Sequence, residues 1–297
     1  MKAGIVVSGG SLKGVLAHNG FFLALKKLGI EMMTCIGTSA GAISGGYICS
    51  GGTPEKLREI LVNLKASDYI DKLSVWEHSV YAYKKFRGWT GLLKGDALED
   101  LIRRIYPVTY FEEQPIPFYA HVANISRVDE ECIHKGELAP AVRASAAIPF
   151  EFEMKEINGQ YYWDGGVFGF NAINRLAEFH PDLDVIIVND FHRHDTAINN
   201  KFMKEPLTPV KAVNKLVDCA AYKFDELKYE ILESKYKQIE VISIRPEIPF
   251  SVDLQKPSKE LANKVIDCGY NETMKAFGKL EVAKAEFVAM SEEKSNV

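Results

Sequence analysis

The sequence predicts an α/β fold in which the first strands lie parallel. Two observations predict it. Ile5-Val6-Val7 is a short apolar run that ends in the turn-forming Ser8-Gly9-Gly10-Ser11 and leads into a helical pattern. Met32 to Ile36 repeats the order, with Gly37-Thr38-Ser39-Ala40-Gly41 as the turn and an Ala/Gly/Ile-rich helix after it. Strand, glycine turn, helix, strand, sharp turn, helix is the order that right-handed crossovers between parallel neighbours produce.

The other elements follow along the chain. Val15 to Leu28 reads as the first helix, closed by Gly29, the residue type that favours the position just past a helix end. Pro54 to Leu64 reads as another. From Tyr69 to Trp89 the periodicity is lost and aromatics accumulate. Asp96 reads as the N-cap of a helix from Ala97 to Ile105, ended by Pro107. Phe118 to Ile125 and Glu131 to His134 read as strands, Ala139 to Ala147 as a small-residue helix, and Asp184 to Val188 and Ile239 to Ile244 as further strands. Val213, Leu216, Val217, Ala220, Phe224, Leu227 and Ile231 recur at helical spacing, as do Leu261, Val265, Ile266, Met274 and Phe277. The charged tail after Met290 is expected to be disordered. No linker divides the chain, which is read as one domain over residues 1–297 with a helical completion from about 208 to 290.

Composition narrows the function classes. The 297 residues are 47% hydrophobic and 26% charged, with a formal net charge of -4. That is ordinary globular composition without the basic stripe of a nucleic-acid binder, and no nucleic-acid partner is expected. Lys84-Lys85 and Arg103-Arg104 read as solvated faces. The five cysteines are spread without a C-x-x-C pair, so neither a disulfide scaffold nor a zinc site is expected. With no signal-peptide pattern or membrane-span run, the reading is a reduced, cytoplasmic protein. No cofactor is expected.

Three segments carry chemistry. Gly37-Thr38-Ser39-Ala40-Gly41 fits G-x-S-x-G, the nucleophile elbow, in which flanking glycines let strand and helix close on a turn that carries the serine. Gly9-Gly10-Ser11-Leu12-Lys13-Gly14 opens a helix directly after a strand and presents backbone N–H groups to an anion. It lacks the Gly-Lys-Ser/Thr of a Walker A loop, and Ser11 takes the middle glycine of G-x-G-x-x-G. Beside the elbow it reads as an oxyanion hole, with Lys13 a candidate extra positive charge. Asp164-Gly165-Gly166 places an acid after the aromatic run Tyr161-Tyr162-Trp163. Alone, each segment has an ordinary turn as its rival reading.

The base is open between Asp164 and a histidine. His180, His192 and His194 all follow Asp164, so the chain order of a Ser-acid-His triad is available. The layout argues against it, because in that fold several strands precede the elbow. His192-Arg193-His194-Asp195 lacks further spaced ligands and reads as a polar loop, with no metal expected.

The three segments, in this order, resemble the patatin-like phospholipase family, over about residues 4 to 190. Val142-Arg143-Ala144-Ser145-Ala146-Ala147-Ile148-Pro149 resembles the family's helix before the aspartate, and Gly91 to Asp96 is a weaker similarity. The resemblance implies a three-layer α/β/α fold with a central, mostly parallel sheet. It also implies a Ser39–Asp164 dyad without histidine, and an oxyanion hole around Gly10, Ser11 and Leu12 with Lys13 at the family's Arg/Lys position. The implied activity is calcium-independent hydrolysis of lipid acyl esters through an acyl-enzyme. The aromatic stretch from Tyr69 to Trp89 is then expected to cover the active site and line an acyl pocket, its rival reading being that these aromatics are simply core. The partner is then a lipid or other acyl ester, with a transient, peripheral membrane contact if that lipid lies in a bilayer. Two departures stand out: Ser11 replaces the loop's usual third glycine, and Phe170-Asn171-Ala172-Ile173 lacks the Asn-x-Pro that usually follows the acid. The rival functions are an acyltransferase using the same acyl-enzyme and a catalytically silent lipid-binding protein. Head group, acyl length and oligomeric state are not legible.

Overall fold

Successive side chains of a strand point to opposite faces, so the uninterrupted apolar runs Ile5–Val7 and Val185–Val188 need cover on both sides of their sheet. A computed structural model of the chain, which describes residues 2–71, 74, 79, 87–191, 209–253 and 257–295, supplies it. In chain order the first elements are β1 (Ala3–Val7), α1 (Ser11–Lys27), β2 (Met32–Thr38), α2 (Ala40–Cys49), α3 (Pro54–Asn63), β3 (Gly91–Leu93) and α4 (Asp96–Ile105). They are followed by β4 (Phe118–Asn124), β5 (Asp129–Ile133), α5 (Leu138–Ser145), β6 (Phe150–Phe152), β7 (Lys155–Ile157) and β8 (Gln160–Asp164). The chain ends with α6 (Ile173–Phe179), β9 (Val185–Asn189), α7 (Pro209–Lys235), β10 (Glu240–Ile244) and α8 (Lys259–Ser295).

The main sheet runs β10-β9-β1-β2-β4-β8-β7, with β5 also paired to β4. From β10 to β4 every pairing is parallel, while β5, β8 and β7 add antiparallel pairs at one end. β3 and β6 form a separate parallel pair. Ile5, Val7, Val185 and Ile187 face one core with Phe21, Tyr47, Leu57 and Ile266 from α1, α2, α3 and α8. Val6, Ile186 and Val188 face the other with Leu176 and Leu232 from α6 and α7. The architecture is the expected three-layer α/β/α. The chain passes from β1 to β2 on one side, and β9 pairs with the other side of β1. The crevice of such a sheet lies beyond the carboxyl ends of the strands where the order reverses, which here are the ends leading into Gly9 and Ser39.

Several boundaries differ from the sequence reading. Helix α1 begins at Ser11, four residues before Val15, so the glycine loop is itself the helix start. Asp96 is not the cap of α4: Asp71, distant in sequence, accepts from the Gly95 and Ala97 amides at 2.8 and 3.0 Å. α8 continues past Met290 to Ser295. On α7 most of the recurring apolar positions face solvent, with Leu216 71% and Leu227 51% exposed, while Val217 turns to a cavity at the end of the sheet. The inner face instead carries Ala221, Lys228 and Leu232. Periodicity identified a face but not its direction, and polar anchors to the loop after Asp164 take the inner one.

The layers close most tightly where α2 crosses β1. A Cβ on Gly41 would lie 2.0 Å from the Val7 carbonyl oxygen, and one on Gly37 would lie 2.5 Å from that of Gly41. These contacts are with backbone, which cannot turn aside. Gly41→Ala is therefore expected to destabilise the protein by about 3 kcal/mol, the upper range of overpacking. Gly29→Ala should cost only about 1 kcal/mol, because its φ of 68° is strained but nothing lies within 4 Å of the added carbon. Urea denaturation of both variants measures the contrast.

Candidate active site

Ser39 stands at the junction of β2 and α2, with φ 54° and ψ -117°. This backbone is rarely adopted by a residue with a side chain and is held here by its surroundings. The Ser39 amide donates to Ser145 Oγ at 3.0 Å, and the Ser145 hydroxyl donates to the His121 carbonyl at 2.7 Å. The carbonyl of Ser39 accepts from the amides of Ala42 and Ile43 at 2.9 and 3.2 Å as α2 begins.

The register of β4 brings Asp164 to this turn. His121 pairs with Thr38 on β2, and Val122, the next residue, pairs with Asp164 on β8. The other edge of β4 is occupied by β5, so β2 and β8 share one edge, end against end. Gly165 is required at this point, because a Cβ there would lie 2.5 Å from both Nδ1 and the carbonyl oxygen of His121. The Asp164 amide donates to the Ala147 carbonyl at 2.9 Å, and Asp164 Oδ1 accepts from the Gly166 amide at 2.8 Å. Its Oδ2 is buried without a hydrogen-bond partner among the described residues. Burial pushes the Asp164 carboxyl up to about 7. The neighbouring Ser39 hydroxyl and the Gly166 amide oppose that rise, and the charge of Glu151 adds to it.

Gly9, Gly10 and Ser11 form the facing wall. Gly10 precedes α1, and the first helical bond runs from the Gly14 amide to the Gly10 carbonyl at 2.7 Å, so the amides before it lack an intrahelical acceptor. A Cβ on Gly10 would lie 2.7 Å from the Phe191 ring. Ser11 has φ 54°, in the left-handed region where glycine is at ease and a side chain is strained.

Ser39, Asp164, Gly9, Gly10, Ser11 and Gly166 line one cavity of about 340 Å³. A second, narrower cavity of about 80 Å³ shares Ser11, Ser39 and Ile148 with it and is walled by apolar side chains including Leu12, Ala40, Leu57, Leu98 and Phe152. Tyr69, the first aromatic of the stretch expected to form an acyl pocket, lines this second cavity. Trp89 packs on Phe150 with ring centroids 6.4 Å apart, and Tyr83 lies outside the described residues.

Some predicted site residues are not brought in. The Lys13 ammonium donates to the Ile248 carbonyl at 3.2 Å and lies over the Phe191 ring, and Lys13 lines neither cavity. Thr38 bonds His121 rather than the site, at 2.8 Å. Gly14 serves the approach of α1 to α2, its added Cβ lying 3.0 Å from that of Ala40. His180 bonds the Tyr119 hydroxyl at 3.0 Å, and His192 and His194 lie outside the described residues. Among the described residues no histidine lines either cavity, and no three His, Cys, Asp or Glu side chains gather to hold a metal ion.

The sequence reading missed His121, Ser145, Glu151 and the α7 residues Asn214 and Asp218, the last three of which line the larger cavity. A signal existed for His121, which interrupts the apolar strand Phe118–Asn124 and is fully buried. Ser145 lay inside the run Val142 to Pro149 without being singled out, and no signal existed for Glu151, Asn214 and Asp218.

A sharp strand–turn–helix carrying a serine, beside a buried carboxyl and a helix start, defines the class: an α/β protein with a strained serine turn at the carboxyl ends of its parallel strands. The comparisons place it within that class. A patatin-like phospholipase profile matches residues 5–177, more than half of the chain, and the chain belongs to that family, whose members are typically lipid hydrolases. An uncharacterised NTE family protein of Mycobacterium tuberculosis is 26% identical over 186 residues, 63% of this chain and 48% of the relative. A second from the same species is 26% identical over 190 residues, 63% of this chain and 30% of the relative. The chain therefore aligns with about half or less of these relatives' length. The crystal structure of VipD from Legionella pneumophila matches 94% of this chain and 66% of its own at 13% identity, with a TM-score of 0.46. No helix among the described residues is long and apolar enough to cross a membrane.

A carboxyl whose folded pKa is raised destabilises the folded state as pH climbs from its ordinary value near 4 to about 7. Asp164→Asn should thus be more stable than the parent at pH 8, by on the order of 2 kcal/mol, and unfold at a higher temperature. That advantage should shrink as the pH falls towards 4. Thermal unfolding at the two pH values reads both parts.

Proposed function

We propose that the protein hydrolyses lipid acyl esters, with Ser39 as nucleophile and Asp164 as its general base. The observation that carries this reading is the buried Asp164 carboxyl, raised to about 7, with an unpartnered oxygen in the cavity that Ser39 lines. A carboxylate near 4 is a weak base, whereas one near 7 is matched to neutral pH. It takes the Ser39 proton as the serine oxygen attacks the ester carbonyl. The protonated acid that results is neutral, the form that burial already favours. It then returns the proton to the departing alcohol oxygen, leaving the acyl-enzyme. Water deprotonated by the same carboxylate completes the cycle.

The developing oxyanion is received by the amides around Gly10, Ser11 and Leu12. The start of α1 adds the partial positive charge of a helix N-terminus there. The narrow apolar cavity takes the acyl chain and the larger cavity the alcohol, because Ser39 stands where the two meet. Substrates are lipid or other acyl esters, and a bilayer lipid would bring the protein transiently to the membrane surface.

The first test is hydrolysis of a short-chain p-nitrophenyl ester. Ser39→Ala and Asp164→Asn should each lower kcat by about 10³ or more, while His180→Ala and a His192→Ala/His194→Ala double variant keep the parent rate. Loss in the histidine variants, with folding intact, would point to a triad instead. Transfer of the acyl group to added alcohols at the expense of hydrolysis would point to an acyltransferase.

The pH profile provides an independent check. Only ionised Asp164 accepts the proton, so kcat/KM should rise with pH and level off above about 7. Glu151→Gln removes a like charge that raises Asp164. The rising limb of that variant should therefore move to lower pH, and an unmoved limb would separate Glu151 from the base.

A further inference from the structure

The larger cavity is acceptor-rich well beyond the reacting atoms. Glu151, Asn214 and Asp218 line it together with Asp164. The residue Asp164 is only 4% exposed, yet its Oδ2 has no hydrogen-bond partner among the described residues. Asn214 Nδ2 donates to Glu151 Oε1 at 3.4 Å, and Asn214 Oδ1 is likewise buried without a partner. Burial raises the Glu151 carboxyl, and the charge of Asp218 raises it further. Burial also raises Asp218, opposed by Lys215, whose ammonium stands 3.8 Å from Asp218 Oδ2. Lys215 is outside the cavity lining, and Lys13 is held by the Ile248 carbonyl.

Three carboxyls and an amide oxygen thus surround one volume of about 340 Å³, large enough for a polar head group. Acceptors in a desolvated pocket are relieved by donors or by positive charge, and an added anion there meets like charge in a low dielectric.

We propose that Glu151, Asn214 and Asp218 form a recognition site for the alcohol half of the substrate, selecting a donor-rich head group, ammonium or polyhydroxyl, against a terminal anionic phosphate. The direction of the alcohol rests on the acyl-hydrolase reading. The selectivity of the lobe does not, and it is measurable without turnover.

The binding arm uses the Ser39→Ala protein with decyltrimethylammonium and decyl sulfate, each below its micellar concentration, measured by titration calorimetry. The cation should bind about tenfold more tightly than the sulfate. In the Ser39→Ala protein that also carries Glu151→Gln and Asp218→Asn, the two should come within about threefold. Thermal unfolding establishes that this variant is folded, and Asp218→Asn alone, which leaves Glu151 in place, should give part of the loss. Sulfate binding as tightly as the cation, or a ratio unchanged in the folded variant, would overturn the proposal.

The turnover arm compares decanoyl esters of ethanolamine, glycerol and glycerol phosphate in the parent protein. The first two should exceed the third in kcat/KM by about tenfold, and their order tells ammonium from polyhydroxyl. A preference for the phosphate ester would overturn the proposal. Cation selectivity in binding with no hydrolysis of any ester would sink the acyl-hydrolase reading and leave the site standing. Hydrolysis of all three esters at equal rates would do the reverse.

Discussion

The site depends on one change of partner along strand β4. Up to His121 that edge is paired to β2, and from Val122 it is paired to β8. β2 must therefore stop where β8 arrives, and Ser39 and Asp164 are each the first residue past that meeting point or the last before it. A slip of one residue in either register would turn the side chains to the opposite face and carry Asp164 away from the cavity. The two glycines flanking the elbow and the one following Asp164 are the local conditions for this meeting. Each lies where an added carbon would strike backbone or the His121 ring.

His121 is the fixed point beneath both strands. Burial first, and Lys228 next, push its imidazole below the usual range, so at neutral pH it is uncharged. The network assigns its tautomer: Nε2 donates to Glu130 Oε1 at 2.8 Å, and Nδ1 accepts from the Thr38 hydroxyl at 2.8 Å. Burial alone would raise Glu130, but the bond from His121 and the ammonium of Lys228, 2.6 Å from Oε1, bring it down to about 2. Lys228 also donates to the Asn171 carbonyl at 2.7 Å, and Asp225, one turn earlier on α7, accepts from the amides of Phe170 and Asn171 at 3.1 and 3.4 Å. A buried ion pair stabilises little against an apolar replacement, but losing one partner strands the other. Its value here is positional, since it ties the segment after the acid to the helix that lines the cavity.

How much of this was legible follows from range in sequence. The strand–turn–helix repeats, the elbow and the acid motif are local, because glycine spacing and apolar runs encode them within a dozen residues. The three-layer fold was legible through the same motifs. His121 against Gly165, Lys228 against Glu130, and Asp71 capping α4 join segments far apart, and no single segment advertises its partner. Lys13 was placed near the anion site because its number is right, but a four-carbon stem carried its charge to Ile248 instead. The apolar stripe of α7 is legible as a helix, but the direction it faces is not, for a related reason. A helical period states that a face exists, while the demand of buried loop amides for Asp225 and Lys228 decides which face turns inward.

Strain and burial meet at this crevice. Ser11 and Ser39 both hold φ at 54°, and Asp164 is buried with an unpartnered oxygen, each at a cost to stability. These three residues belong to the two loops and the strand end that surround one volume, while the sheet and α1, α2 and α8 around them are packed with apolar side chains. The rigid layers make the unfavourable positions tolerable by leaving the backbone nowhere else to go. On the proposed mechanism the costs have a use. A carboxyl that resists charge is one that accepts a proton readily, and a serine fixed at a strained turn need not be ordered when substrate arrives.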